Sequence, residues 1–291
     1  MYMNLPRYLT LSITNTVFRN APSLSPITFN GAQNPVVSED LNKVAYINNE
    51  GLWILSVTSL PIGFTNDPKR ITDNLTENAV FYFSPDGRQI MVEELKSVFL
   101  LDTNEFVASN QRQNVASQKE KILLQWQEER NKKQRSELQN LPQELQDIFE
   151  KNVESFKFSP DQTMVLYKAS SEVTIKEGLI AKLPGSSTQQ EERTIKKGNR
   201  YIYDLKEDKN FFISNDSNDG LYWLPTSRHI IESKEDKIII MDYDGTNRQT
   251  VFSGNYIKPH AYPHINASKI LILTSLGSSD ENTNIYSMSI K

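Results

Sequence analysis

The sequence predicts an all-β chain, a β-propeller of about five to six four-stranded blades with an inserted helical hairpin. Three observations carry that expectation. A strand–turn–strand unit is written twice: Val80-Phe81-Tyr82-Phe83-Ser84-Pro85-Asp86-Gly87-Arg88-Gln89-Ile90-Met91-Val92 returns as Val153-Glu154-Ser155-Phe156-Lys157-Phe158-Ser159-Pro160-Asp161-Gln162-Thr163-Met164-Val165. The intervals are those of blades: 46 residues separate Ser38 from Ser84 and 41 separate Ser227 from Ser268, against about 40–50 for a four-stranded blade. The 75 residues from Ser84 to Ser159 leave about 30 for an insertion on the same measure. Finally, Val, Ile, Tyr, Phe and Thr fall in short clusters, which suits strands.

In chain order, residues 1–34 begin strand-like at Tyr8–Ile13 and are then broken by Pro22, Pro26 and Gly31. The pattern leaves open whether they form a sixth sheet or join the last one. Residues 35–108 hold two blades. The first is Val36–Ile47, a degenerate copy of the unit, which turns at Glu50-Gly51 into Leu52–Val57; the second is Val80–Thr103. Ser-Pro-Asp-Gly suits a tight reversal, because Pro presets φ, Asp bonds the local backbone and Gly accepts positive φ.

Residues 109–152 are rich in Gln, Glu, Lys and Arg and poor in β-branched residues, so helix is expected. Ile122, Leu123 and Trp126 share one face, and Leu138, Leu141, Leu145, Ile148 and Phe149 recur at three- and four-residue steps. Pro142 marks the restart of a second helix. The stretch Gln127–Glu137 is polar all round and is expected in solvent.

Residues 153–291 carry the remaining blades. Their strands are read at Val153–Tyr167, Arg200–Leu205, Leu221–Glu232, Lys237–Gly245, Ala261–Leu273 and Asn284–Ile290, with a polar loop near 178–199. Ile238-Ile239-Ile240-Met241 is a continuous apolar run, as expected for a strand covered on both faces.

Several function classes find no footing. Net charge is −4 and the 32 Lys+Arg are spread along the chain, so nucleic-acid binding is not expected. The cations of the insertion alternate with Glu120, Glu128, Glu129 and Glu137 and read as a solvated helix face. Absence of Cys removes disulfides and thiolate metal sites. No apolar run approaches the roughly 18 residues of a membrane span, and no signal peptide is visible. There is no phosphate loop and no G-x-S-x-G nucleophile elbow. His260 and His264 are four apart, but Pro259 and Pro263 break any helix that would pair them as ligands; they and His229 are expected to be structural. Asp242-Tyr243-Asp244-Gly245-Thr246-Asn247 opens like a calcium loop but lacks the distal Glu, and Asn215–Gly220 lacks the spacing, so both are expected to be turns. No catalytic residue, metal or cofactor is therefore expected.

Phe83-Ser84-Pro85-Asp86-Gly87 and Phe158-Ser159-Pro160-Asp161 resemble the WD40-like PD40 repeat that builds the propeller domain of TolB and related bacterial proteins. The match is weaker at Leu224–Arg228 and Ile265–Lys269. A closer resemblance, to the propeller region of PEGA-domain proteins of small-genome uncultured bacteria, rests on Leu52–Leu55, Leu60–Phe64, Arg70–Asp73, Tyr201–Phe211 and Met241–Arg248. In those proteins a membrane segment and a PEGA domain precede the propeller. The resemblance therefore implies a longer protein and an extracytoplasmic, membrane-anchored location, with any membrane association supplied by a segment outside this chain.

The expected function is a non-enzymatic propeller that binds a protein or cell-envelope component, with the helical hairpin as docking element and Ile122 and Trp126 as candidate partner-binding residues. The alternative is a propeller that binds a small ligand, or carries hydrolase-type activity, in a central channel lined by Asp, Tyr and His. A further reading, packing of Trp126 onto the blade side, competes with docking for that residue.

Overall fold

The computed structural model describes residues 11–13, 16–18, 23–57, 67–181, 189–216, 220–276 and 283–290. The expected strand start at Tyr8, the motif at 60–64, residues 182–188 of the polar loop and 217–219 of the oxygen-rich turn lie outside them. The described chain is mostly β, with two α-helices. It divides into two compact units. One is Ser23–Gln134 with Asn255–Ile290; the other is Arg135–Gly254 with the chain's first strands.

A short hairpin, β1 (Leu11–Ile13) and β2 (Thr16–Phe18), belongs to the second unit. β3 (Leu24–Pro26) follows. The first sheet runs β4 (Gln33–Val37), β5 (Lys43–Asn48), β6 (Gly51–Ser56) and β7 (Lys69–Thr72), each antiparallel to the next. Gly51 opens β6 at φ +135°, and a Cβ there would sit 2.0 Å from the Thr72 carbonyl oxygen, so only glycine fits the bend. The next sheet has three strands: β8 (Val80–Phe83), β9 (Gln89–Glu94) and β10 (Ser97–Asp102). Where a fourth strand was expected, the chain makes one isolated bridge, Phe99 to Asn114, and leaves into the helices. These are α1 (Lys119–Leu138) and α2 (Gln143–Asn152).

The second unit holds two further sheets. One is β11 (Val153–Phe158), β12 (Met164–Ala169), β15 (Arg200–Asp204) and β16 (Lys209–Ser214), with a small hairpin, β13 (Val173–Thr174) and β14 (Thr194–Ile195), between its middle strands. The other is β17 (Leu221–Trp223), β18 (His229–Ser233), β19 (Lys237–Asp242) and β20 (Gln249–Ser253). The last sheet, back in the first unit, is β21 (Ala261–Pro263), β22 (Lys269–Thr274) and β23 (Asn284–Ser289), and β3 completes it as the fourth strand. The open question about residues 1–34 is thus answered for residues 24–26: they join the last sheet.

Each four-stranded sheet is antiparallel throughout, and all but the one β3 completes follow chain order strand by strand, the kind of sheet a propeller blade uses. Sheets stack through apolar faces. Ala45, Ile47, Leu52 and Ile54 meet Phe81, Phe83, Ile90 and Val92 in the first unit, and Leu166, Ile202 and Phe211 meet Trp223, Ile230 and Met241 in the second. The central strands are buried on both faces, which explains why they read as unbroken apolar runs.

The repeated turn explains the repeated words. Ser84 Oγ donates to Asp86 Oδ1 at 2.6 Å and accepts from the Gln89 N–H at 3.0 Å, while Arg88 N–H donates to the same Asp86 oxygen. Ser38/Asp40 and Ser159/Asp161 repeat the pattern at 2.6 and 2.8 Å. The Ser84 hydroxyl is the largest influence holding the Asp86 carboxyl below the usual range. The fourth residue of the turn has positive φ in four copies, Gly87 but also Leu41, Gln162 and Ser227, while the Ile265–Lys269 copy has none. A Gly-only search therefore misses three of these four turns.

The expected polar loop near 178–199 contains a strand. Thr194–Ile195 forms β14, because Ile195 is buried beside Ile175 and Arg193 reaches the buried Asp208. Two apolar residues twenty apart carry that packing, too few for a local sequence pattern to reveal.

Candidate functional site

α1 is built to be held at one face. Its amino end packs on the β8–β10 sheet through Trp126, which is 4% exposed, with Met91 and Val98. Tyr82 meets the indole edge-on, ring centroids 6.3 Å apart at 88°. Ile122 and Leu123 pack half-buried against the same cluster. Lys119 pairs with Glu93 at 2.5 Å, and Arg130 pairs with Glu39. The Tyr82 hydroxyl also donates to Glu93. Burial raises the Glu93 carboxyl, but hydrogen bonds from Lys119 and Tyr82 outweigh it and leave it below its ordinary range.

Leu124 stands about 200° around the helix from Ile122 by helical geometry, and it is 65% exposed. The stretch after Trp126 is exposed as far as Ser136, except for Arg130. Trp126 thus spends its surface on the fold, and Leu124, which the sequence reading passed over, is the large apolar side chain α1 presents to solvent. The helical period alone puts Leu124 opposite the Ile122/Trp126 face.

α2 does different work. Leu145, Ile148 and Phe149 lie against Val165, Tyr167, Tyr201 and Tyr203 of the β11–β16 sheet. Phe149 contacts the Tyr167 and Phe156 rings at centroid distances of 5.1 and 5.6 Å. α2 is a structural cover.

The three histidines sit apart in role. His264 Nδ1 accepts the Asn266 N–H at 2.9 Å, a turn contact. His260 Nδ1 bonds the Tyr262 hydroxyl, which in turn donates to the Pro35 carbonyl at 3.2 Å. His229 lies between Thr226 Oγ1, 3.0 Å from Nδ1, and Asp242 Oδ1, 3.4 Å from Nε2. That line has the order of a general-base relay, and burial lowers the His229 pKa so that the ring is neutral at pH 7. Thr226, however, is an exposed turn residue and lines neither of the two cavities described below. Among the described residues no three His, Asp or Glu side chains converge to hold a metal ion. Asp244 accepts the Thr246 N–H at 3.0 Å and Asp242 the Asn247 amide at 2.7 Å, so the Asp-x-Asp segment is a turn held by its own side chains.

Burial pushes the His260 pKa down to about 4. The folded state therefore refuses a proton that the unfolded chain, near its ordinary value of about 6.5, accepts. Stability is full above about pH 6.5 and falls as the pH drops toward 4, by as much as about 3 kcal/mol at the lower end. His260→Gln is expected to flatten a large part of that fall in urea midpoints measured from pH 7 to 4.5. An unchanged slope would assign the acid sensitivity elsewhere.

Cavities among the described residues include two that bear on ligand binding. One, of about 280 Å³ in the first unit, is walled by Ile27, Phe29, Leu55, Val57, His264 and Leu271. The other, of about 420 Å³ in the second unit, opens between β11 and β17. No helix among the described residues is long and apolar enough to cross a membrane.

No family matches the chain, and no curated protein matches it. Solved structures similar to it include a putative TolB from Agrobacterium tumefaciens, 13% identical, with 92% of this chain and 84% of that chain covered at a TM-score of 0.32. TolB from Acinetobacter baumannii is 13% identical over 89% of this chain and 55% of that one, TM-score 0.28. An oligogalacturonate lyase from Vibrio parahaemolyticus is 8% identical over 90% and 78%, TM-score 0.34. At these identities and TM-scores no residue role or activity passes from them to this chain.

Proposed function

We propose that the chain is a non-enzymatic β-propeller module that docks a protein partner through the outer face of α1. The observation that carries the reading is the contrast on one helix: Trp126 is 4% exposed in the sheet cluster while Leu124 is 65% exposed on the opposite side. A polar helix of this length gains little by itself. Anchoring it through an indole and two ion pairs fixes a surface that the sheet beneath does not need. Blade-like meanders at blade-like intervals support the propeller. The resemblance at Leu52–Leu55, Tyr201–Phe211 and Met241–Arg248 to propellers that follow a membrane segment supports an extracytoplasmic setting and a cell-envelope partner.

Large apolar side chains at the centre of an interface typically cost 2 kcal/mol or more when removed, on the order of thirty-fold in affinity. Leu124→Glu is therefore expected to abolish capture of a protein that the unaltered chain retains from native envelope extract, with the far-ultraviolet circular dichroism unchanged. Ile122→Ala, which trims a half-buried neighbour, is expected to weaken capture less. If Leu124→Glu retains the same proteins at the same yield, α1 is not the docking face.

A further inference from the structure

The 420 Å³ cavity has a chemistry that the docking reading does not use. β11 enters its sheet with an irregularity between Val153 and Ser155. Past it, Ser155, Lys168 and Arg200 stand opposite one another on β11, β12 and β15, so their side chains leave one face of the sheet. Lys157, two residues along β11, leaves the same face. Further along that face Leu166 and Ile202 are buried against Leu221 and Trp223 of the next sheet. The space between the two sheets is thus apolar in its middle and turns cationic at one end.

The cavity lies at that transition. Lys157, Lys168, Arg200 and Glu154 are the charged residues of its wall, with Leu166, Leu221 and Tyr222 completing it. Lys157 Nζ sits 5.3 Å from the centroid of the Tyr222 ring, which places the ammonium ahead of any ligand. Lys168 Nζ bonds Glu154 at 3.0 Å; the lysine side chain is 18% exposed and the glutamate 56%. Glu154 is therefore a partner on the open side that can swing away. Arg200 is 7% exposed and its Nε donates to the Asp216 carbonyl at 3.4 Å, which orients the guanidinium. The volume falls within the roughly 300–1,000 Å³ usual for small-ligand sites.

We infer that this cavity binds a small organic oxyanion, a carboxylate or phosphate monoester carried on a ring or short apolar body. The headgroup takes the place of Glu154 beside Lys168 and Lys157, and the body lies along Tyr222 and Leu221. The site is independent of α1, so it stands or falls apart from the docking reading.

Phenyl phosphate and benzoate are the probes, titrated into the intact chain by calorimetry and amide nitrogen–proton spectra. At least one is expected to bind saturably, shifting resonances of residues 154–157 and 221–222, and the tighter of the two identifies the headgroup. A charge-assisted hydrogen bond carries about ten-fold in affinity or more. The double variant Lys157→Met/Lys168→Met is therefore expected to weaken binding at least about ten-fold. Glu154→Gln removes the competing carboxylate and is expected to tighten it, a gain that a merely structural ion pair would not give. The proposal is overturned if neither probe saturates at millimolar concentration, or if the double variant and Glu154→Gln both bind like the unaltered chain.

Discussion

Asp208→Asn is expected to destabilise the Arg135–Gly254 unit by about 3–5 kcal/mol, the usual cost of removing one member of a buried ion pair. Asp208 is completely buried. One carboxylate oxygen accepts the Tyr203 hydroxyl; the other accepts the Gly178 N–H at 2.8 Å and faces Arg193 at 3.3 Å. Arg193 itself spans Glu191 at 2.8 Å, the Lys176 carbonyl at 2.7 Å and the Asp208 carbonyl. One carboxylate therefore fastens the β13–β14 excursion to the sheet it leaves. Asn keeps the shape and tolerates the positive φ of 52° at this position, so the substitution isolates the charge from backbone strain. Without that charge, Arg193 keeps only Glu191 as an ionic partner while its side chain stays 10% exposed. Urea unfolding gives the size of the loss, and hydrogen exchange is expected to rise first over residues 173–176 and 189–195. The double variant Asp208→Asn/Arg193→Met is expected to recover part of the loss, because it no longer leaves a buried charge uncompensated. A loss below about 1 kcal/mol would reduce the network to ordinary hydrogen bonds.

Trp126→Ala is expected to cost about 3–5 kcal/mol locally, the range for truncating a buried large aromatic, with the loss confined to α1. Most of its twenty residues face solvent, so the helix depends on its docked turns. Removing the indole strips Tyr82, Met91 and Val98 of their shared partner and leaves the Lys119 and Arg130 pairs, both partly exposed, to hold the helix. Such pairs contribute at most about 1 kcal/mol each. The expected signature is a fall in helical circular dichroism and new proteolysis between Gln127 and Glu137, with the β-sheet signal retained. Trp126→Phe is expected to keep most of the helix. If Trp126→Ala leaves the helical signal intact, something other than the indole anchors α1.

The repeats were legible because their physics is local. Ser, Asp and a residue at positive φ lie within four positions, and the flanking strands are apolar on both faces. The helices were legible from spacing, as Leu145, Ile148 and Phe149 show. What escaped depends on register between distant segments. Leu24-Ser25-Pro26 carries no alternation, yet pairs with Met288, Ser287 and Tyr286. β13 and β14 are two residues each. The cationic wall needs Ser155, Lys168 and Arg200 brought side by side from three strands, whereas the alternative reading of the sequence expects Asp, Tyr and His in a central channel. For Trp126 the sequence allows both docking and packing on the blade, because a helix with one aromatic and scattered leucines does not say which face meets a sheet.

The pairing of β3 with β23 also orders events in time. The Ser289 N–H donates to the Ser23 carbonyl at 2.9 Å, and Ile27 N–H to the Ile285 carbonyl at 2.9 Å. During synthesis residues 24–26 leave the ribosome some 260 residues ahead of their partners, about 13–50 s at ordinary elongation rates. Before that interval ends the Arg135–Gly254 segment has emerged whole and is free to fold, whereas the last sheet still waits. Segments that emerge early and pair late are exposed to wrong partners. The shortness of β3, three residues ending in Pro26, keeps that waiting strand a poor template for them.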